Sequence, residues 1–178
     1  MIKVYDDPLE NEYAKSIDEK VRSLSWTYEF QPTTVLLNKH WVYPTDKTDT
    51  WATGLFWKLH KSLGLKEFFN IEKYDSIYLL GHTYGLEQQA HHDQCDFTLI
   101  YYPLLDWKLP WAGGTKVWDD NGRENSVDYR GNRLVIFDGE LLHQGLPPAK
   151  SCHELRIICV FQCKIEGANR ERLDYYNV

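Results

Sequence analysis

From residue 76 onward, the chain alternates short apolar segments with residues that form turns. In chain order, the apolar segments read SIYLLGHTY, FTLIYYP, GTKVWD, RLVIFDG and LRIICVFQCKI. Turn signals lie between them, among them Asp120-Asn121-Gly122 and Arg130-Gly131-Asn132. Short apolar runs separated in this way by Gly, Asn and Asp are typical of strands. The pattern therefore predicts a sandwich or barrel built from short strands.

The N-terminal part of the chain is predicted to contribute two helices. Residues 9–24 place their apolar side chains on one helix face, and Pro8 suits a helix start. These apolar positions are Leu9, Tyr13, Ile17, Val21 and Leu24. A second helix is expected after a cap at Thr48 or Thr50 and before a stop at Gly64. Its apolar stripe comprises Trp51, Leu55, Phe56, Leu59 and Leu63.

No repeat or linker divides the chain, so we expect one domain over residues 1–178. Residues 1–75 are expected to form a helical support region and residues 76–166 a β-rich core. Within the support region, residues 35–44 (VLLNKHWVYP) are β-branched and aromatic enough to form a strand. Together these elements predict a β-sandwich that the two helices brace on one side.

Net charge, hydropathy and cysteine spacing limit the binding partners and the cell compartment that suit this chain. The net charge is −6, and an acidic balance argues against a broad basic surface for nucleic acid. No apolar run is long enough to span a membrane, and the N-terminal residues lack the apolar core of a signal peptide. The four cysteines contain no CxxC pair, and they are Cys95, Cys152, Cys159 and Cys163. We therefore expect free thiols and a cytoplasmic protein.

Three residues are candidates for one metal site. His91 and Asp93 lie two apart, so on a strand they project to the same face while His92 points the other way. His143 follows the apolar strand at 134–137 and can supply a third ligand. Two imidazoles and one carboxylate form the facial triad of non-haem Fe(II) oxygenases. The spacing alone is equally compatible with a surface His–Asp pair, or with Asp93 capping a turn.

Arg156 opens the last apolar strand and shares a face with Ile158 and Val160. A guanidinium that points inward there needs an anionic partner, and arginine binds a carboxylate through two parallel hydrogen bonds. The alternative is a strand-edge residue that faces water.

The order His91-x-Asp93, then His143, then Arg156 resembles the Fe(II)- and 2-oxoglutarate-dependent dioxygenases, most closely their prolyl-hydroxylase-like branch. The resemblance covers residues 76–164. The segments that carry it beside the triad are Tyr84-Gly85, Ile100-Tyr101-Tyr102-Pro103 with Asp106-Trp107, Trp111-Ala112-Gly113-Gly114-Thr115, and Asn132-Arg133-Leu134-Val135-Ile136-Phe137. The fold implied is mainly β with N-terminal helices and a double-stranded β-helix core, which is a cupin-like jelly roll.

The resemblance also implies roles for individual residues. His91, Asp93 and His143 would bind Fe(II), and Arg156 would pair with the C5 carboxylate of 2-oxoglutarate. The hydroxyl of Tyr102 would share that carboxylate, although Tyr102 is equally well explained as a core aromatic. Further candidates for cosubstrate contact are Thr115, Tyr84 and His82. The family often has tyrosine at the position of His82.

The alternation of side chains along a strand bears on which of Tyr101 and Tyr102 points inward. Strict alternation from Asp93 would turn Tyr101 inward rather than Tyr102. Residues 94–96 (Gln-Cys-Asp) are expected to break the strand, so the alternation cannot be carried across them. Cys95 is then expected to be a pocket or turn residue. Trp107, Trp111 and Trp118 either form a substrate wall or, as large aromatics commonly do, pack in the core.

The activity implied is hydroxylation of a substrate C–H bond with O2 and 2-oxoglutarate, with release of succinate and CO2. Ascorbate is a further candidate cofactor. A prolyl residue in a peptide or protein is the leading substrate by resemblance, and a small molecule is the alternative. The nucleic-acid demethylase branch is disfavoured, because it carries a second arginine where this chain has Gln162. The alternatives to this activity are a cupin-like metal enzyme that does not use 2-oxoglutarate and a non-enzymatic jelly-roll binding module. The sequence leaves the oligomeric state open.

Overall fold

The computed structural model describes residues 1–30, 39–43, 45, 49–86 and 88–165. Its helices are α1 (Asn11–Arg22), α2 (Thr50–Leu63) and α3 (Leu65–Phe69), with a 3-10 turn at Leu109–Trp111. Its strands are β1 (Ile2–Asp6), β2 (Thr27–Phe30), β3 (Lys39–Tyr43), β4 (Tyr74–His82), β5 (Phe97–Tyr102), β6 (Thr115–Trp118), β7 (Glu124–Val127), β8 (Arg133–Asp138), β9 (His143–Gly145) and β10 (Arg156–Cys163). Among the described residues, no helix has both the length and the apolar character needed to cross a membrane.

The strands form two antiparallel sheets. The larger sheet has seven strands in the order β1-β8-β5-β10-β4-β3-β2, and the smaller has three in the order β7-β6-β9. Side chains from both sheets line one internal cavity, with β4, β5 and β10 on one side and β6 and β9 on the other. The mainly β sandwich predicted from the sequence is confirmed, and all five apolar segments from residue 76 onward form strands.

The central strand β10 is buried on both faces, which explains its nearly continuous apolar sequence. Ile158 and Val160 face the cavity. Phe161 faces the opposite way and packs against Phe56 of α2, with ring centroids 5.6 Å apart. The helices therefore cover the outer face of the larger sheet, and the cavity occupies its inner face.

Both predicted helices are present, with small differences at their ends. α1 buries Ile17 and Val21 of the predicted apolar face together with Ala14, while Tyr13 of that face is partly buried. α2 ends as predicted at Gly64, which adopts a left-handed conformation (φ 57°) and donates its N–H to His60. The cap predicted at Thr50 is wrong, because Thr50 is already the first helical residue and the capping position is Asp49. The alternative cap, Thr48, lies outside the described residues.

The support region expected at 1–75 contains two strands, β1 and β2, besides the helices and the strand predicted there. β1, β2 and β3 lie in this region and join the larger sheet, and β1 pairs with β8 from Ile2 opposite Phe137 to Asp6 opposite Arg133. Strands near a sheet edge need only one apolar face, so their sequences carry a weaker signal. The strand predicted at 35–44 is observed at Lys39–Tyr43, and its remaining residues lie outside the described part of the chain.

All four cysteines are free thiols, as predicted. Cys95, Cys159 and Cys163 are buried, and burial raises the pKa of each thiol, that of Cys95 to about 12. Cys95 lies in the turn before β5, with its Sγ 3.3 Å from the hydroxyl of Thr98. These thiols are therefore structural side chains with little thiolate character at neutral pH.

We expect Gly114→Ala to destabilise the fold by about 3 kcal/mol or more, since the added methyl would overlap the backbone carbonyl oxygen of Val127 on the neighbouring strand. Chemical denaturation measures the change in the free energy of unfolding. Gly122→Ala is the matched control, because its surroundings are open and only its positive φ (74°) opposes the substitution. It should cost about 1 kcal/mol. Equal stability losses in the two variants would contradict the close packing of β6 against β7.

Candidate metal centre

The three predicted ligands meet at one end of the cavity. The candidate ligand atoms of His91, Asp93 and His143 all lie within 4.8 Å of one another. The Nε2 atoms of His91 and His143 are 3.7 and 3.6 Å from the two carboxylate oxygens of Asp93. These separations are too long for hydrogen bonds and leave space between the ligand atoms for one ion. The backbone produces this convergence, because His91 and His143 exchange two N–H···O bonds of 2.9 Å as an isolated bridge.

Both histidines have their ring orientation set by the backbone. The Nδ1 of His91 lies 3.0 Å from the carbonyl oxygen of Gln89, and that of His143 lies 3.0 Å from the carbonyl oxygen of Leu141. A carbonyl only accepts, so each neutral ring carries its proton on Nδ1 and keeps the Nε2 lone pair for an ion. Burial holds the pKa of His143 below its usual value, which favours this neutral form.

Asp93 is held in place by two contacts. Its N–H donates to the carbonyl of Gly139 at 2.8 Å, and the hydroxyl of Thr98 donates to its Oδ2 at 2.5 Å. The prediction that His91 and Asp93 lie on one strand is wrong. His91 forms an isolated bridge, and Asp93 lies in a loop that the Gly139 contact fixes. His92 does point away, since its Nδ1 lies 2.7 Å from the carbonyl oxygen of Glu140.

The cavity extends from these ligands between the two sheets. Its lining residues are Tyr78, Leu80, Gln88, His91, Asp93, Thr98, Ile100, Thr115, His143, Gly145, Ile158 and Val160. About half of the lining residues are polar and the others are mainly aliphatic, a mixture that suits a small polar ligand.

Arg156 is fully buried and points inward. It donates to the backbone carbonyls of Gly113 and Gly114 and, from Nη1, to the Nδ1 of His82 at 2.9 Å. These contacts use three of its five N–H groups. No carboxylate in the described part of the chain pairs with it, and burial lowers its pKa. A buried cation with free donors is a site for an anion.

The Gly-Gly turn makes room for the guanidinium. A side chain at Gly113, which has a φ of 82°, would approach the Cδ of Arg156 at 3.1 Å. A side chain at Gly145, in the cavity wall, would lie 3.8 Å from Nη1 of Arg156. Arg156 therefore lies close to the cavity wall at Gly145.

Tyr102, not Tyr101, lies on the cavity side of β5. Thr98, Ile100 and Tyr102 alternate onto the same face, and the Tyr102 hydroxyl donates to the hydroxyl of Thr115 at 2.7 Å. Tyr101 points the other way and donates to Asn132. The break expected at 94–96 is present, and for that reason alternation counted from Asp93 selects the wrong tyrosine.

The remaining candidates fall into three groups. His82 is buried beside Arg156, as its position opposite Arg156 across β4 and β10 requires. Tyr84 is 60% exposed and does not line the cavity, so the structure does not bring it to the other candidates. Trp107 and Trp111 are buried and pack on each other, with centroids 5.2 Å apart, while Trp118 is not a lining residue.

Four polar residues near the site were not among the candidates, and one of them is Thr98, which bonds Asp93. Tyr78 and Gln88 line the cavity, and Gln88 accepts the N–H of Gly145 through its Oε1 at 3.2 Å. His40 is buried beside His82, with ring centroids 5.1 Å apart. Counting back in twos from His82 would have found Tyr78. Gln88 and His40 have no comparable signal, because tertiary contacts alone bring them to the site.

Comparisons with known proteins bear on the fold. No protein-family model matches the sequence, and no curated protein matches it. A prolyl-4-hydroxylase from Pseudomonas putida aligns with a TM-score of 0.65 at 15% identity, over 93% of this chain and 93% of that one. A prolyl hydroxylase from Trichoplax adhaerens, in complex with a hypoxia inducible factor peptide fragment, aligns with a TM-score of 0.67 at 15% identity. This alignment covers 92% of this chain and 83% of that one. HygX from Streptomyces hygroscopicus, with nickel, 2-oxoglutarate and hygromycin B bound, aligns with a TM-score of 0.69 at 11% identity. This alignment covers 93% of this chain and 83% of that one.

These alignments span nearly the whole chain at low identity, so they establish the fold. The chain has the double-stranded β-helix fold of the prolyl-4-hydroxylases, with N-terminal helices against the larger sheet. The mainly β, jelly-roll fold predicted from the sequence is thereby confirmed.

Proposed function

We propose that this protein is an Fe(II)- and 2-oxoglutarate-dependent dioxygenase that hydroxylates a C–H bond of its substrate. One observation carries the proposal: a His–Asp–His set of converging ligand atoms and a buried, unneutralised arginine lie close to the same cavity. A metal ion and a dicarboxylate together satisfy both features. A surface His–Asp pair would need neither converging ligand atoms nor a buried arginine, and the same holds for an aromatic binding platform.

The donor set fits Fe(II). Two neutral imidazoles and one carboxylate, without thiolate, leave coordination positions open and suit a non-haem iron rather than a structural zinc. Iron bound there supplies the activation of O2 that couples decarboxylation of 2-oxoglutarate to hydroxylation, with succinate and CO2 as coproducts. The chain contributes the orientation of the ligands through Gln89, Leu141 and Thr98.

The cosubstrate is proposed to lie between the triad and Arg156. The free N–H groups of Arg156 would bind the C5 carboxylate, and the hydroxyl of Thr115, which accepts from Tyr102, would add a donor beside it. Ile100 and Ile158 would contact the methylene carbons and exclude water. Tyr84 is not part of this proposal, because it is exposed. Ascorbate would serve as a reductant outside this geometry.

A peptide or protein substrate, with prolyl hydroxylation as the reaction, is the leading choice. The Trichoplax adhaerens relative in fold is in complex with a peptide fragment. A small molecule is the second candidate, because HygX has hygromycin B bound. Nucleic acid is a poorer substrate for a chain with a net charge of −6.

The test is succinate release from 2-oxoglutarate with Fe(II) and O2 over a panel of peptides, free amino acids, nucleosides and sugars. We expect one class to stimulate release, with proline-containing peptides first. His91→Ala serves as the inactive control for each member of the panel. Release that the His91→Ala variant matches would contradict the proposal, and metal-dependent catalysis without 2-oxoglutarate would favour the cupin-like alternative.

A further inference from the structure

The cavity opens at its metal end. Of the described residues that line it, only Tyr78 and His91 are partly exposed, and all the others are buried. The opposite end is closed and lies near Gly145, beside the buried Arg156. A substrate that arrives from solvent therefore reaches the metal ligands past Tyr78 and His91, which form the mouth of the cavity.

Tyr78 lies beyond the reach of a cosubstrate held at Arg156. Both residues are placed by the pairing of β4 with β10, in which His82 is opposite Arg156 and Tyr78 is opposite Val160. Tyr78 and His82 are four residues apart, which is about 13 Å along an extended strand. This distance exceeds the length of a five-carbon diacid. We therefore expect an oxo acid bound at Arg156 to end at the triad and to leave Tyr78 free.

The hydroxyl of Tyr78 is available to a ligand. Within the described part of the chain it makes no hydrogen bond, and it is not among the enclosed polar atoms that lack a partner. Burial, together with the nearby carboxylate of Asp93, raises the pKa of Tyr78 well above its usual value, so the hydroxyl keeps its proton and can donate. Thr98 and Gln88, by contrast, already bond Asp93 and Gly145.

The filled site has no net charge to offer an ionic group of the substrate. Asp93 is the only carboxylate among the described lining residues, no lysine or arginine lines the cavity there, and Arg156 is the buried cation beside it. With Fe(II) and the dianion of 2-oxoglutarate bound, the positive and negative charges of the site cancel. A carboxylate, phosphate or ammonium group of a substrate would therefore lose its hydration without gaining a counter-ion.

We propose that Tyr78 binds the substrate at the mouth of the cavity, where its hydroxyl donates a hydrogen bond to the uncharged carbonyl of a peptide amide. The tyrosine ring, next to Val160, supplies an apolar face with one donor at its tip, which matches an amide flanked by apolar carbons. A sugar carries several hydroxyl groups and would leave some of them unpaired against aliphatic side chains. The inference rests on the proposed function and narrows its substrate to a residue within a peptide chain rather than a free amino acid.

A pair of matched probes tests this inference without turnover. N-Acetylproline N-methylamide and N-acetylproline differ only at the proline carboxyl group, which is an amide in the first and a carboxylate in the second. The protein is loaded with Mn(II) and 2-oxoglutarate in the absence of O2. The paramagnetic relaxation that Mn(II) causes in the probe protons reports binding near the triad, and its concentration dependence gives the Kd.

We expect the wild type to bind the amide at least about 10-fold more tightly than the carboxylate. Tyr78→Phe keeps the ring and loses the hydroxyl, so it should weaken amide binding about 10-fold. Its affinities for Mn(II) and 2-oxoglutarate, measured by calorimetry, should match those of the wild type. Tyr84→Phe, at an exposed tyrosine outside the cavity, is the matched control and should bind both probes as the wild type does.

Wild-type affinity for the amide in Tyr78→Phe overturns the inference, and so does equal binding of the two probes by the wild type. A loss of 2-oxoglutarate affinity in Tyr78→Phe also overturns it, because Tyr78 then contacts the cosubstrate. Wild-type protein that binds Mn(II) and 2-oxoglutarate but no amide near the metal overturns the inference and leaves the proposed function standing. Wild-type protein that binds Mn(II) but no 2-oxoglutarate overturns both.

Discussion

Arg156→Ala should weaken the binding of 2-oxoglutarate by about 2–5 kcal/mol, which is roughly 30-fold to several thousand-fold in Kd. The reason is that the guanidinium is fully buried and has no carboxylate partner among the described residues, so the ligand carboxylate is its only proposed counter-ion. Metal binding should persist, because Arg156 does not line the wall at the triad. Calorimetry with Mn(II)-loaded protein measures both affinities.

Two comparisons identify the cause of that loss. 2-Oxovalerate lacks the distal carboxylate, so the wild type should bind it far more weakly than 2-oxoglutarate, and Arg156→Ala should bind the two alike. Arg156→Lys should fall between wild type and alanine, since lysine keeps the charge but not the paired donors. Arg123→Ala, at an exposed arginine, should change nothing. An Arg156→Ala protein that is folded, binds metal and retains wild-type affinity for 2-oxoglutarate would show that Arg156 is not the carboxylate site.

His91→Ala should reduce metal affinity by more than about 100-fold and abolish succinate release. Loss of a group that merely orients a ligand costs 10- to 100-fold in metal affinity, and His91 is proposed as a ligand itself. Metal content after anaerobic loading with Fe(II) and dialysis measures the change.

His92→Ala is the matched control for that experiment. His92 is the adjacent residue and the same side chain, but its ring is turned to the carbonyl of Glu140. Metal content and succinate release should therefore stay near wild type. If the two variants lose metal equally, the ligand set is not the one that the geometry indicates.

Much of the fold could be predicted because its strands are buried. β4, β5, β8 and β10 lie at the centre of the larger sheet or beside it, and their apolar runs stand out in the sequence. The elements that were missed are short, polar or at an edge. β7 reads ENSV and β9 has only three residues, so pairing with β6, rather than propensity, makes them strands.

The candidate ligands could be predicted for a chemical reason, although the local structure assumed for them was wrong. Two imidazoles and a carboxylate are a recognisable donor set wherever the backbone brings them together. Their convergence depends on the bridge between His91 and His143 and on the contact of Asp93 with Gly139. These are contacts between distant segments, and spacing along the chain does not report them.

The surroundings of Arg156 were harder to predict. The choice between Tyr101 and Tyr102 depends on the turn at 94–96, where alternation is interrupted. Tyr84 lies near the triad in sequence but faces solvent. His40 has no motif around it, and it reaches the site only because β3 pairs with β4.

The central claim is that one cavity holds a metal ion at the triad and an oxo acid at Arg156. A crystal structure of protein soaked with Mn(II) and 2-oxoglutarate, with the metal located by anomalous scattering, tests it directly. We expect one Mn(II) bound by His91, Asp93 and His143, and the C5 carboxylate of 2-oxoglutarate on the guanidinium of Arg156. Mn(II) bound elsewhere, or a triad occupied by metal with no oxo acid reaching Arg156, would contradict the account.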